Sequence, residues 1–287
     1  MNDARSLARS ADAPSGAPPA SDVCSPAATP SVTHLVLIPS YNAGRLALET
    51  VRGARAHWNP VWVVIDGSTD ATGEALQALA SEDPGLKVWV LAHNLGKGAA
   101  ILHGAQLARA AGFTHALTMD SDAQHPAGCI EAFMSASQAR PEALILGEPQ
   151  FDASAPALRV QGRRICNWWV NLETLWCGVH DSLFGFRVYP LEPLLAVMRR
   201  TPWMRRFDFD AESAVRLCWA GLPVRNLPAP VRYLRPDEGG VSHFHYWRDN
   251  VLLTWMHLRL LLGLLWRWPL LLRGRYGRRH RSRTHRL

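Results

Sequence analysis

Lysine is nearly missing from this chain. Of its 31 basic residues only Lys87 and Lys97 are lysines, so the net charge of +7 rests on arginine. That skew reads as genome composition before it reads as function. Paired cysteine motifs are missing too. Cys24, Cys129, Cys166, Cys177 and Cys218 are odd in number and show no C-x-x-C or Cys/His finger spacing. This argues against a disulfide framework and a zinc finger and predicts buried, reduced thiols, with a Cys166–Cys177 pair as the competing reading. The first 31 residues are rich in Ala, Pro and Ser but hold no apolar block. They predict a disordered leader without the hydrophobic centre of a secretory signal, and hence a cytoplasmic protein. Charged residues make up only 19% of the chain against 48% hydrophobic, enough to build a core. The positive charge gathers after Arg273, which predicts an anionic surface, lipid or nucleic acid, at one end of the molecule.

From His34 onward apolar runs alternate with helical patterns. Leu35–Ile38, Val61–Ile65, Lys87–Leu91, His115–Met119 and Ala143–Leu146 read as buried strands. Helices are predicted over 44–56, 71–79, 97–110 and 128–139. Nearly continuous apolar strands separated by helices predict a mostly parallel sheet covered on both faces. Ligands of such sheets sit beyond the carboxyl ends of the strands. Pro39–Asn42, Asp66–Asp70, His93–Gly98 and Asp120–Gln124 all fall there, so four polar loops converge on one rim. The second half predicts helices over 159–176, 191–198 and 210–220, with Gly221 as a C-cap. It also predicts a loop over 181–187 and, because Pro228 and Pro230 interrupt it, only an edge strand over 224–231.

Within the rim, Asp120 and Asp122 stand one residue apart after a strand. Both carboxylates can turn toward one point, which suits a hard divalent cation that keeps water or substrate phosphates in its other positions. The competing reading is a pair that caps the next helix.

Five motifs in order carry a family resemblance. They are Ile38-Pro39-Ser40-Tyr41-Asn42, Val63 to Asp70 (V-V-I-D-G-S-T-D), Asn94-Leu95-Gly96-Lys97-Gly98-Ala99-Ala100, Asp120 to Pro126 (D-S-D-A-Q-H-P), and Asp181 to Arg187 (D-S-L-F-G-F-R). Together they resemble glycosyltransferase family 2, in its polyprenyl-phosphate sugar synthase branch, over roughly residues 34–272. Ile65 departs from the family, which has a first aspartate there. The resemblance implies a GT-A fold and inverting transfer of a sugar from a UDP- or GDP-sugar. It implies Mg²⁺ or Mn²⁺ on Asp120, Asp122 and Gln124. Pro39, Tyr41, Asn42, Asp66, Lys97 and Asp120 would hold the nucleotide sugar, with Asp66 against base and ribose. The flanking glycines of Lys97 suit a close backbone approach to the donor. Asp181 is the candidate base or acceptor-positioning residue, with Glu212 and Ser242-His243-Phe244 as weaker candidates. Arg159, Arg163, Arg164 and Arg187 are expected at the acceptor, a lipid or polyprenyl phosphate. Ordinary roles compete with each assignment: turn former for Asp66, surface charge for Lys97 and the arginines on 159–164, structural partner for Arg187.

Residues 251–272 are long enough to cross a bilayer but contain His257, Arg259, Arg267 and Pro269. Arg259, Gly263 and Arg267 recur every four residues as a polar stripe, and Trp255, Trp266 and Trp268 suit a headgroup boundary. Two arginines make a span costly, so an amphipathic helix lying on the cytoplasmic leaflet is expected, followed by a polybasic tail attracted to anionic lipid. The competing reading is a helix that covers the domain. The expected organisation is leader 1–31, GT-A domain 32–245, interfacial helix 246–272 and polybasic tail 273–287. The alternatives are a sugar-phosphate nucleotidyltransferase and a non-catalytic basic module for membrane or nucleic acid. The motif set argues against nucleic acid as partner.

Overall fold

The computed structural model describes residues 29–151, 157–231 and 246–284. Most of the expected leader, and Ser242-His243-Phe244, lie outside the described residues. Strands β1 (His34–Ser40), β2 (Val61–Asp66), β3 (Leu86–Leu91), β4 (His115–Thr118) and β5 (Leu144–Gln150) alternate with helices α1 (Gly44–His57), α2 (Thr72–Glu82), α3 (Lys97–Ala110) and α4 (Ile130–Ala139). After α5 (Ala157–Glu173) come β6 (Arg187–Pro190), α6 (Leu191–Arg200), α7 (Phe209–Trp219), β7 (Val224–Pro230) and α8 (Tyr246–Thr284).

The seven strands form one sheet in the order β3-β2-β1-β4-β6-β5-β7. Its strands run parallel except β6, which pairs antiparallel with both β4 and β5. That strand corrects the loop-then-helix expectation. It is only four residues long and contains Arg187, so no apolar run announces it. The proline-bearing β7 lies at the sheet edge and pairs in parallel with β5 from Val224 to Pro230. Pro228 and Pro230 are tolerated there because an edge strand leaves one side of its backbone unpaired.

The apolar runs are continuous because both faces of the sheet are covered. Leu35, Leu37, Trp62 and Val64 point into one core with residues of α3, α5, α6, α7 and α8. Val36, Ile38, Val61, Val63 and Ile65 point into the other with α1 and α4. The period of two sends neighbouring side chains to opposite layers. The chain runs β1, β2, β3 to one side and then returns to place β4 on the other side of β1. Their following loops therefore part at a switch point, where a crevice opens.

At the opposite, amino-terminal end of these strands His34 and His115 stack with ring centroids 4.4 Å apart. His34 Nε2 bonds Ser137 Oγ at 3.1 Å, and His115 Nε2 bonds the Pro141 carbonyl at 2.8 Å. Burial, with His115 alongside, lowers the His34 pKa from 6.5 to about 4. Burial lowers His115 as well. A histidine held neutral contributes stability above its unfolded pKa and loses it as pH falls through the folded value. Acid melting should therefore start below about pH 6.5 and continue to about pH 4, with up to ~3 kcal/mol from His34. Thermal midpoints measured across that range should fall in wild type and fall less in His34→Gln.

Candidate active site

The rim is built by loops that hold one another. Asn42, in the left-handed region at φ 46°, accepts the Thr69 N–H on Oδ1 at 2.8 Å, and its own N–H donates to Ser68 Oγ at 3.0 Å. The Gly44 N–H donates to Thr72 Oγ1 at 2.8 Å and Asp70 Oδ2 at 3.2 Å. Pro39 is buried in β1 and Tyr41 is half-buried beside Asn42. The β1 and β2 loops thus form one unit.

Asp66, expected against base and ribose, braces the neighbouring loop in the structure. It is 2% exposed, and its two oxygens accept the backbone N–H groups of Leu95 and Gly96 at 2.8 and 2.7 Å. It anchors the 94–98 loop to β2. The glycines of that loop likewise serve the chain itself. Gly96 has φ 102°, and an added Cβ would meet the Arg205 carbonyl oxygen at 2.5 Å; one on Gly98 would meet that of Met204 at 2.7 Å. Ala99 N–H bonds the Arg205 carbonyl at 3.0 Å. The close backbone approach is to residues 204–206.

Lys97 starts α3 and reaches across the rim. Its Nζ lies 2.7 Å from Asp120 Oδ1 and 2.7 Å from Asp210 Oδ2. Burial alone would lower this ammonium, but Asp120 and Asp210 together raise it. Burial would raise Asp120, yet the Lys97 charge holds it below the usual carboxylate range. Asp210 is 5% exposed and its Oδ1 has no hydrogen-bond partner. Sequence reasoning passed over Asp210 in favour of Glu212, two residues on. Glu212 is fully buried and held by Trp203, Arg216 and Arg259. A helical pair at i and i+2 points in different directions, so only one of them can face the rim.

His125 closes the Asp120 loop. The Asp120 N–H donates to His125 Nδ1 at 2.9 Å, and the ring sits edge-on to Phe184 and Phe186. Burial lowers its pKa against the pull of Asp120 and Asp122, so the neutral ring keeps its proton on Nε2, 3.6 Å from Asp120 Oδ2. Ala123 takes φ 57°, held by its N–H bond to Thr50 Oγ1 at 3.0 Å. Non-glycine residues avoid that region, so the turn presenting Asp122 is locally strained and externally held. Asp122 Oδ1 accepts the Gln124 N–H at 3.1 Å. Burial and the neighbouring Asp120 raise the Asp122 carboxyl.

Among the described residues no group of three His, Cys, Asp or Glu side chains gathers to hold a metal. At the end of β4 stand the carboxylates of Asp120 and Asp122, with Gln124 half-buried beside them. Oxygen donors from two carboxylates fit Mg²⁺ or Mn²⁺ completed by substrate phosphates and water, and the like charge that raises Asp122 is what such a cation relieves.

Asp181, the candidate base or acceptor-positioning residue, is held by the chain around it. It is 3% exposed and engaged by four donors. Oδ1 accepts from Arg163 Nη1 at 2.6 Å and from the N–H groups of Leu183 and Phe184; Oδ2 accepts from Asn167 Nδ2 at 3.2 Å. It organises the 181–187 loop. Arg163, expected at the acceptor, pairs with Asp181 and lies over the Phe151 ring. Arg187, also expected there, is wholly buried. Its guanidinium donates to the Phe184 and Asp210 carbonyls and to the Tyr189 hydroxyl. Of the four expected acceptor arginines, Arg164 is exposed on α5 and the Arg159 side chain lies outside the described residues.

Residues 35–199 match the family described as Glycosyl transferase family 2. The chain belongs to that family. It is 25% identical over 254 residues to an undecaprenyl-phosphate mannosyltransferase of Micrococcus luteus, covering 80% of this chain and 99% of that protein. It is 30% identical over 215 residues to a polyprenol monophosphomannose synthase of Mycolicibacterium smegmatis, covering 69% and 77%. The fold is similar to glucosyl-3-phosphoglycerate synthase from Mycobacterium tuberculosis, solved with Mn²⁺, UDP-glucose and phosphoglyceric acid. That match has a TM-score of 0.55 and 16% identity, and covers 80% of this chain and 79% of the other. The enzyme is therefore a GT-A type glycosyltransferase, and the curated relatives fall in the polyprenyl-phosphate sugar branch.

Two substitutions test the site geometry. A Cβ on Gly185 would meet Lys97 Nζ at 2.6 Å and Asp120 Oδ2 at 2.9 Å. Gly185→Ala should displace that pair and lower turnover roughly 10²-fold, the scale of an ångström-sized misplacement. Asp181→Asn should cost about 2 kcal/mol in a denaturant melt and lower turnover only in proportion to the folded fraction. A deep loss of turnover with full stability would restore Asp181 as a base.

Proposed function

We propose that this glycosyltransferase moves a sugar from a nucleotide-diphosphate donor to a polyprenyl-phosphate-type lipid at the cytoplasmic face of the membrane, with Mg²⁺ or Mn²⁺ at Asp120 and Asp122. The observation that carries the reading is the convergence of Lys97, Asp120, Asp122 and the four rim loops at the β1/β4 switch point. Relatives named for mannosyl transfer to polyprenyl carriers make mannose the first sugar to try. Mn²⁺ and UDP-glucose on the mycobacterial synthase of the same fold make that pair the second.

The metal would act as a Lewis acid on the donor diphosphate. The chain's own part is to fix geometry and charge. Asp66 and Asn42 hold the loops that border the donor crevice. Lys97 keeps a cation beside Asp120, where the leaving diphosphate gains negative charge. In an inverting displacement an acceptor oxygen bonds the anomeric carbon from one face while the bond to the diphosphate breaks on the other, its electron pair leaving with the nucleotide. A lipid phosphate is already ionised and needs no proton removed. That acceptor suits a site in which Asp181 is engaged by four donors.

Purified protein incubated with labelled GDP-mannose or UDP-glucose, Mn²⁺ and polyprenyl phosphate should give a labelled lipid. Chelation should abolish transfer, and Asp122→Ala should lower it at least about 10²-fold. Transfer that survives both, or pyrophosphate release in place of lipid labelling, would sink the proposal.

A further inference from the structure

The polar stripe of α8 faces the rest of the enzyme. His257 Nδ1 bonds the fully buried Glu173 at 2.8 Å. Burial would lower that histidine, but its bonds to Cys166 and Glu173 raise it to about 9. Arg259 Nη2 reaches Glu212 at 3.0 Å and Asp208 at 3.6 Å on α7, and its guanidinium lies over Trp203. Gly263 and Arg267 both meet the Trp219 ring. Met256, Leu260 and Leu264 share that inner side and enter the core. The stripe is therefore a docking seam onto the enzyme.

The other side carries Trp255, Leu258, Leu262, Leu265 and Trp266. Leu265 is 71% exposed and Trp266 is 86% exposed. An ordinary surface helix puts charge outward and apolar groups inward. Here the segment from Trp255 to Trp266 turns its charges inward beside Met256, Leu260 and Leu264, and leaves a second apolar face outside. No helix among the described residues is long and apolar enough to cross a membrane, which leaves a surface to lie on.

We propose that the outward face of α8, from Trp255 to Trp266, seats the enzyme on an anionic phospholipid bilayer. This rests on the lipid-acceptor reading given above and names the surface that meets the lipid. Charge complementarity selects the occupant. Arg248 is exposed before the apolar face and Arg267 flanks its end. The sequence of the same helix then continues through Arg273, Arg275, Arg278, Arg279, Arg281 and Arg283. Apolar side chains between tryptophans, followed by arginines, fit acyl chains, the headgroup boundary and anionic headgroups in turn.

Flotation with vesicles tests it, using phosphatidylcholine alone and phosphatidylcholine with phosphatidylglycerol. The full-length wild type should float with the anionic vesicles, and less with the neutral ones. The Leu262→Glu/Leu265→Glu variant should lose flotation at least about tenfold. Its circular dichroism and melting temperature should match wild type, because both side chains point away from the fold. It should also keep transferring sugar to a detergent-dispersed acceptor, so a missing transferase activity and a wrong surface give different results. Equal flotation of variant and wild type would overturn the proposal. So would a wild type that fails to float but sediments as a dimer which the double substitution dissociates, since a second copy would then cover the face.

Discussion

One ammonium group holds the rim together. Lys97 comes from the start of α3, Asp120 from the loop after β4 and Asp210 from the first turn of α7, and their charged atoms meet at 2.7 Å on each side. Without that cation the buried Asp210 and the half-buried Asp120 would face each other unpaired, and breaking even a fully buried pair from one side costs at most about 3–5 kcal/mol. The constraint explains nearby residues that carry no charge. Gly185 leaves room for the pair, and Gly98 lets the start of α3 lie against residues 204–206. Thr118 fixes Gly185 by donating to its carbonyl at 2.8 Å.

The first turn of α7 is where the two halves of the chain are joined. Asp210 faces Lys97 and the rim, and its backbone carbonyl accepts from the buried Arg187. Asp208 and Glu212 in the same turn face Arg259 on α8. Burial, with Glu212 alongside, pushes Asp208 up to about 6 despite Arg259. This helix turn therefore has the Lys97–Asp120 rim on one side and the covering helix on the other. The His257–Glu173 pair adds a second clasp between α8 and α5.

Much of this was legible in the sequence because period and punctuation are local properties. The bounds expected for α3, Lys97 to Ala110, are those observed, since a glycine turn opens the helix and Gly112 follows it. The buried strands announced themselves as apolar runs, and five ordered motifs gave the family. Partners were not legible. The Asp181 motif gives a spacing but cannot say that Arg163 and Asn167, on the preceding helix, will engage the carboxylate. Asp66 looks the same in sequence whether it meets a ribose or the Leu95 and Gly96 amides. Strand β6 was hidden because four residues with a buried arginine resemble a loop. On α8, a four-residue stripe of arginine and glycine marks two opposite faces equally well. Only the positions of Glu212, Glu173 and Trp219 decide which face turns inward.

Charge pairing at the rim separates its carboxylates into two kinds. Asp120 and Asp210 share Lys97, and Asp181 has Arg163. Each of these carboxylates touches an internal cation, with Asp120 and Asp210 dividing one ammonium between them. Asp122 differs: among the described residues no basic side chain forms an ion pair with it, and burial together with Asp120 raises its carboxyl. The strained turn at Ala123 nevertheless holds it at the crevice rather than letting it swing to solvent. A carboxylate kept at a cost beside another carboxylate is out of balance until positive charge arrives from outside the chain. That imbalance supports placing the proposed divalent cation at Asp122, and it makes the donor diphosphate the natural carrier of the remaining oxygen ligands.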